Sequence, residues 1–387
     1  MNPDLVARID ELKRQRNATI LAHNYEPDEI QEIADFTGDS LQLSRKAAHI
    51  EADVVVFCGV HFMAETASIL SPDKTILMPV LDAGCEMADM VTGEQVRQMK
   101  AEHPGAAAVC YVNSSAEVKA ECDCCCTSSN AMAVAAAFAD APEILFVPDR
   151  NLGSHVAQTS GQKLTCWDGY CPVHDRITSA DILAARRSHP DAVVMVHPEC
   201  TDDVRAGADE ILSTGHMCWF AAESEHREFI VGTEIGILYR LRLENPGKTF
   251  HPLVLTPSHA RITLADILGA RQAHPSVSVV VHAECTDRVK AAADEVMTTE
   301  EMGRFVASSG GREIVLGVTG GILADLRVAN PDHTLHGLLS LPVCPDMKMP
   351  TVESVVAALE NMQYEVRVRE EIADRARVAI ERMISLG

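Results

Sequence analysis

Positive charge is what this sequence has least of. Its 33 Lys and Arg face 56 Asp and Glu, a formal net charge of −23. No basic run exceeds two residues, as at Arg186-Arg187. Phosphate backbones need a concentrated basic face, so no nucleic-acid partner is expected. Long apolar runs are also missing: no window approaches the roughly 18 residues of a membrane helix. The opening stretch, MNPDLVARIDELKRQR, is polar and amphipathic and has no apolar signal-peptide core. These gaps point to a soluble, cytoplasmic protein without a membrane partner. What remains is ordinary: 387 residues at 47% hydrophobic composition give material for about two to four domains with ample core.

Cysteine, by contrast, is abundant, with 13 residues. In a reducing compartment these are not a disulfide framework, which leaves metal binding, catalysis or burial. Burial as small apolar groups suits most of them, Cys58, Cys110, Cys166 and Cys218 among them. The run Cys122, Cys124, Cys125 and Cys126 is expected to oxidise rather than hold a metal, because neighbouring side chains in a strand or turn diverge.

The chain repeats itself. Residues 171–253 and 256–338 align without a gap at a constant offset of 85, with roughly half the positions identical. CPVHDRITSADILAARRSHP faces TPSHARITLADILGARQAHP, and VHPECTDDVRAGADEIL faces VHAECTDRVKAAADEVM. Looser copies lie upstream, at 103–123 and 19–40. Short apolar strands (ATILAH, DVVVFCG, AVVMVH, REFIVG) alternate with amphipathic helices, which predicts an α/β protein of repeated α/β/α domains with parallel sheets. We divide it as 1–84, 85–170, 171–255 and 256–340, with 341–387 closing on the first unit. Ligands of such sheets sit beyond the carboxyl ends of the strands. There each unit carries a polar pair: His23/Tyr25, Tyr111/Asn113, His197/Glu199 and His282/Glu284. About fifteen residues later each has a hydroxyl at an expected helix start, Ser40, Ser128, Thr214 and Thr299. Ordinary helix capping is the commoner role of such residues, but their equivalence across units favours anion binding through free helix N–H groups.

Cys85, Cys171 and Cys344 fall at equivalent unit boundaries; at the remaining boundary Thr256 replaces cysteine. Three thiolates from three homologous units can share one centre with an open position. That centre is either a three-cysteine zinc with water or a [4Fe–4S] cluster with one iron free of cysteine.

Many ordered motifs now coincide: LAHNY (21–25), FTGDSLQLSRKA (36–47), GVHFMAET (59–66), YVNSSAEVKAE (111–121), CCTSSNA (125–131), PDRNLG (148–153), GYCPVH (169–174), VHPEC (196–200), STG (213–215), GTEIG (232–236) and VCPDMK (343–348). Together they resemble quinolinate synthase, over nearly the whole chain apart from the extra block. The resemblance implies three α/β domains in pseudo-threefold arrangement around a central [4Fe–4S] cluster, here with one extra duplicated domain. It implies condensation of iminoaspartate with dihydroxyacetone phosphate to quinolinate in NAD biosynthesis. A partner enzyme that oxidises L-aspartate would supply the iminoaspartate. The ligands carried over are Cys85, Cys171 and Cys344. Catalytic candidates are Glu199, Tyr25, His23, His197 and Tyr111. Substrate contacts are assigned to His23, Ser40, Tyr111, Asn113, Ser128, His174, His197, Glu199, Ser213 and Thr214.

The extra block departs from that pattern. It keeps His259, His282, Glu284 and Cys285, but GTEIG has become GVTGG and STG has become Thr298-Thr299-Glu300. A glutamate there repels an anionic substrate. We expect residues 256–340 to lie outside a three-unit ring. Two other functions fit the same residues: a different [4Fe–4S] hydro-lyase, and an inactive homologue acting as a binding module. Reconstitution followed by a quinolinate assay separates them.

Overall fold

The structure is a computed structural model that describes residues 2–255, 259–310, 313–338 and 341–386. It is an α/β fold of four units, each built on a parallel four-stranded sheet. The first sheet holds β1 (Ala18–His23), β2 (Phe36–Gly38), β3 (Val54–Cys58) and β4 (Thr75–Leu77). The second holds β5 (Ala107–Tyr111), β6 (Cys124–Cys126), β7 (Ile144–Val147) and β8 (Leu164–Cys166). β9 (Val193–Val196), β10 (Glu210–Ile211), β11 (Glu228–Gly232) and β12 (Thr249–Pro252) form the third. In the fourth are β13 (Ser278–His282), β14 (Glu295–Met297), β15 (Ile314–Gly317) and β16 (Leu335–Gly337). Strand order is the same in all four: second, first, third, fourth. Every residue of β3, β5 and β7 is buried, as expected of strands covered by helices on both faces.

One hydrogen bond marks all four units as versions of one design. An aspartate fifteen residues downstream turns back to accept a backbone N–H of the unit's first strand. The pairs are Asp35 with Ile20 (2.8 Å), Asp123 with Ala108 (2.7 Å), Asp209 with Val194 (2.8 Å) and Asp294 with Val279 (2.8 Å).

The apolar cores show how the units are grouped. A single large cluster joins the first three units to the C-terminal helix Glu370–Ser385, from Leu21 and Phe57 through Val109 and Phe146 to Phe229, Ile237 and Ile380. The fourth unit has two cores of its own, around Val281 and Leu316, which share no residue with that cluster. It meets the third unit through a reciprocal contact. Arg176 donates to the Arg261 carbonyl and Arg261 to the Arg176 carbonyl, both at 2.6 Å. Arg176 also pairs with Asp266 and Arg261 with Asp181, at 3.3 and 2.5 Å, on almost fully buried carboxylates. These four residues are equivalent at the repeat offset, so the two units associate face to face like a symmetric dimer.

Glycine explains why the third unit, not the fourth, packs against the first. A Cβ at Gly215 would overlap Asp39 Oδ2. The residue equivalent to Gly215 in the fourth unit is Glu300, which brings both bulk and like charge. Thr256, the position that replaces a cysteine, lies outside the described residues.

Because the fourth unit holds separate cores, joining Leu255 directly to Leu341 should leave a soluble chain that unfolds cooperatively. Size-exclusion chromatography and far-UV circular dichroism of that deletion check this; an aggregated product would contradict it.

Candidate active site

Strand geometry brings the polar pairs together. A cavity of about 300 Å³ is lined by His23, Tyr25 and Ser40 of the first unit, Tyr111, Asn113 and Ser128 of the second, and His174, His197, Glu199 and Thr214 of the third. Cys85, Cys171 and Cys344 line the same cavity.

The histidines are set by a local rule. At a strand end, the backbone N–H two residues on donates to the histidine Nδ1. This occurs at Tyr25 to His23 (3.2 Å), Glu199 to His197 (3.3 Å) and Glu284 to His282 (3.2 Å). With Nδ1 accepting, the neutral ring carries its proton on Nε2. His197 Nε2 accordingly lies 3.2 Å from Ser128 Oγ. Burial pushes both His23 and His197 down to about 3, so both are neutral hydrogen-bond donors at physiological pH.

Glu199 sits among them with its side chain 4% exposed. It accepts from Tyr111 Oη, and its Oε2 is 2.8 Å from His174 Nδ1. Burial favours its protonated form, but the hydrogen bonds from His174 and Tyr111 outweigh that and hold the carboxyl well below its usual range. A carboxylate only accepts, so His174 Nδ1 donates and its Nε2 accepts from Thr233 Oγ1 at 2.7 Å. Thr233 Oγ1 is in turn 2.6 Å from Tyr25 Oη, which also receives the Thr214 hydroxyl at 3.1 Å. The result is an unbroken chain Tyr25–Thr233–His174–Glu199–Tyr111 that crosses all three units. Burial, then the charge of Glu199, pushes both tyrosines well above the usual phenol range, so they are protonated.

The anion-binding candidates divide. Ser40 and Thr214 are the first residues of helices Ser40–Ala48 and Thr214–Glu223 and line the cavity. Ser128 does not begin a helix: the turn Thr127–Asn130 intervenes, closed by Asn130 Oδ1 accepting from Thr127 N at 2.8 Å. Ser213 does not line the cavity. Its hydroxyl caps the Thr214 helix, accepting from His216 N at 3.3 Å, and meets Ser129 Oγ at 2.9 Å. The Cys124–Cys126 run is the buried strand β6, with Cys110 Sγ 3.4 Å from Cys125 Sγ.

Among the described residues, Cys85, Cys171 and Cys344 are not a trio whose sulfurs all lie within 4.8 Å of one another. Three thiolates on one tetrahedral zinc would be about 3.8 Å apart, closer than these three sulfurs stand as a set. Burial above all pushes Cys85 up to about 12 and raises Cys171 and Cys344 well above the usual thiol range. The charge of Glu199, and then Cys85 and Cys344, further oppose ionisation of Cys171. Cys344 reaches the cavity through Glu234, which accepts from Cys344 N (3.2 Å) and pairs with Lys348 (3.0 Å). Lys348 also donates to the Tyr25 carbonyl. Asp149 Oδ2 fixes Cys171 by accepting from its N–H at 3.2 Å.

The family model for quinolinate synthetase A protein matches residues 7–258 and again 254–385. A quinolinate synthase of Dehalococcoides mccartyi is 44% identical over 379 residues, 98% of this chain and 97% of that protein. One of Thermodesulfovibrio yellowstonii is 40% identical over 391 residues, 98% of both chains. The chain belongs to the quinolinate synthase family. A third member, from Pelobacter propionicus, is 52% identical over 284 residues, 72% of this chain but 93% of that quinolinate synthase, which is therefore shorter. The two overlapping family segments meet where the third unit ends and the fourth begins.

Thr233, Glu234, Lys348 and Asp149 were not among the sequence candidates. All four lie inside quoted motifs (GTEIG, VCPDMK and PDRNLG), where a buried hydroxyl or charge next to a site glycine or cysteine was the available signal.

Two buried neutral imidazoles make the fold acid-sensitive. Their folded values near 3 lie below the ordinary 6.5, so the unfolded chain binds more protons between those limits. Stability should therefore fall as pH drops from 6.5 towards 3, by about 1.4 kcal/mol per pH unit for each group. Denaturant titrations across this range should give a shallower slope for His197→Gln than for the parent. Identical slopes would remove His197 from the account.

Proposed function

We propose that this chain is a quinolinate synthase that condenses iminoaspartate with dihydroxyacetone phosphate, with loss of phosphate and water, as a step of NAD biosynthesis in the cytoplasm. The observation that carries the reading is the hydrogen-bonded chain from Tyr25 to Tyr111, closing beside three cysteines in a cavity shared by three units. Cys85, Cys171 and Cys344 would hold a [4Fe–4S] cluster, whose open iron supplies a Lewis acid for a departing hydroxyl or a chelating carboxylate.

The chain's own residues do the rest. Ser40 and Thr214 offer helix N–H groups and hydroxyls to the substrates' anionic groups. His23, neutral with its Nε2–H available, donates to a carbonyl or enolate oxygen. Asn113, with its Oδ1 buried and without a hydrogen-bond partner among the described residues, is placed to accept from the substrate imine or amine. Ser128 orients His197, and Tyr111 orients Glu199. Glu199 takes a proton from substrate carbon, and Tyr25 gives one to the departing oxygen. Across a full turnover Glu199 releases the proton it collected and Tyr25 regains the one it gave, so the site returns to its starting protonation. The enzyme that oxidises L-aspartate is the natural supplier of the short-lived imine.

Anaerobic iron–sulfide reconstitution and a quinolinate assay test the reading. Glu199→Gln should keep the visible absorption of the cluster and substrate affinity but lose at least 100-fold in kcat, because size survives and proton transfer does not. Full turnover in that variant would remove Glu199 from the mechanism. A wild-type protein that holds the cluster and makes no quinolinate would favour the hydro-lyase or binding-module readings.

A further inference from the structure

The fourth unit stands outside the three-unit core, yet it reaches the site. Leu264, Thr286, Arg288 and Val289 line the same cavity as His23, Tyr25 and Glu199. This wall is held in place: the reciprocal Arg176–Asp266 and Arg261–Asp181 pairs lie directly beside Leu264, with side chains no more than 17% exposed.

Comparison of the two repeats shows what changed at the wall. In the third unit Asp203 accepts from Thr201 (2.6 Å) and from Ser179. The equivalents of Ser179 and Asp203 in the fourth unit are Leu264 and Arg288. Both members of one hydrogen-bonded pair have thus been replaced, and both replacements line the cavity. Asp203 to Arg288 is also a reversal of charge, in a chain of net charge −23. Among the described residues Arg288 forms no hydrogen bond or ion pair. Its charge reaches Asp346, two residues beyond Cys344. Arg176 also lines the cavity, but it is committed to the Arg261 carbonyl and Asp266.

We infer that the fourth unit forms the outer wall of the reaction cavity and that Arg288 captures the phosphate group of the incoming substrate at its mouth. The inference rests on the reading above, in which one substrate is a phosphate ester. A guanidinium matches a phosphate dianion in geometry and charge, and placed at an entrance it offsets the repulsion of an acidic protein. Among the described residues that line the cavity, the other arginine is the committed Arg176.

The test uses the full-length reconstituted protein, its Arg288→Ala and Arg288→Glu variants, and Arg304→Ala as control, since Arg304 is a surface arginine paired with Glu300 away from the cavity. Calorimetry would measure affinity for dihydroxyacetone phosphate and for inorganic phosphate, and kinetics would give KM and kcat. Arg288→Ala should weaken binding of both probes and raise KM for dihydroxyacetone phosphate about tenfold, Arg288→Glu more, with the loss in KM rather than kcat. The control should match the parent. Unchanged affinity for both probes in both Arg288 variants would overturn the inference, whatever the turnover. Arg288-dependent binding of dihydroxyacetone phosphate in a protein that makes no quinolinate would sink the proposed reaction and leave the capture site standing.

Discussion

A carboxylate buried without a full cation beside it is the constraint around which this molecule is arranged. Glu199 keeps its charge because Tyr111 and His174 donate to it, and these come from two different units. Removing either of them leaves a desolvated charge under-satisfied, a loss of several kcal/mol by general experience with such groups. The Tyr111 contact closes the second unit on the third, and the His174 contact fixes which nitrogen of His174 carries a proton. Through Thr233, that choice sets the state of Tyr25 in the first unit. Domain assembly and proton inventory are therefore one problem, solved by one residue.

The second constraint is steric and decides between near-identical repeats. The third and fourth units share their strand order, their capping boxes at Thr178 and Thr263, and their strand-end histidines. They differ where the core needs close approach or a relay. Gly215 became Glu300, Thr233 became Val318, and Glu234 became Thr319. Without Gly215 the backbone cannot pass Asp39; without Glu234 the segment carrying Cys344 loses one of its anchors. His259, His282 and Glu284 still form a compact triad, His259 Nδ1 to Glu284 at 2.8 Å, but Glu284 points outward with its side chain 74% exposed. The relic of a site survives there because stacked imidazoles and a solvated carboxylate cost little.

Much of this was legible in the sequence, and the illegible part has a physical pattern. The parallel α/β units followed from alternating apolar strands and helices, and the convergence of His23, Tyr25, Tyr111, His197 and Glu199 followed from their strand-end positions. The sequence could not show that Ser213 spends its hydroxyl on a helix cap, or that Ser128 sits in a turn before its helix. Those outcomes depend on one or two residues of local phase. Thr233 and Lys348 were hidden for another reason: their roles exist only across unit boundaries, to Tyr25 and Glu234, more than a hundred positions away. Arg288 carried no motif. Only comparison of the repeats, with the cavity in view, singles it out.

The claim at the centre of the account is that three units each give one cysteine to a single open-sided centre. Mössbauer spectroscopy of the full chain, reconstituted anaerobically with ⁵⁷Fe, tests it most directly. The account predicts a [4Fe–4S] spectrum in which one iron in four changes its parameters on addition of quinolinate, and its loss when Cys85, Cys171 or Cys344 is replaced by serine but not when Cys124 or Cys285 is. A spectrum with no iron responding to quinolinate, or one that survives the Cys344→Ser change and disappears with Cys285→Ser, would contradict it.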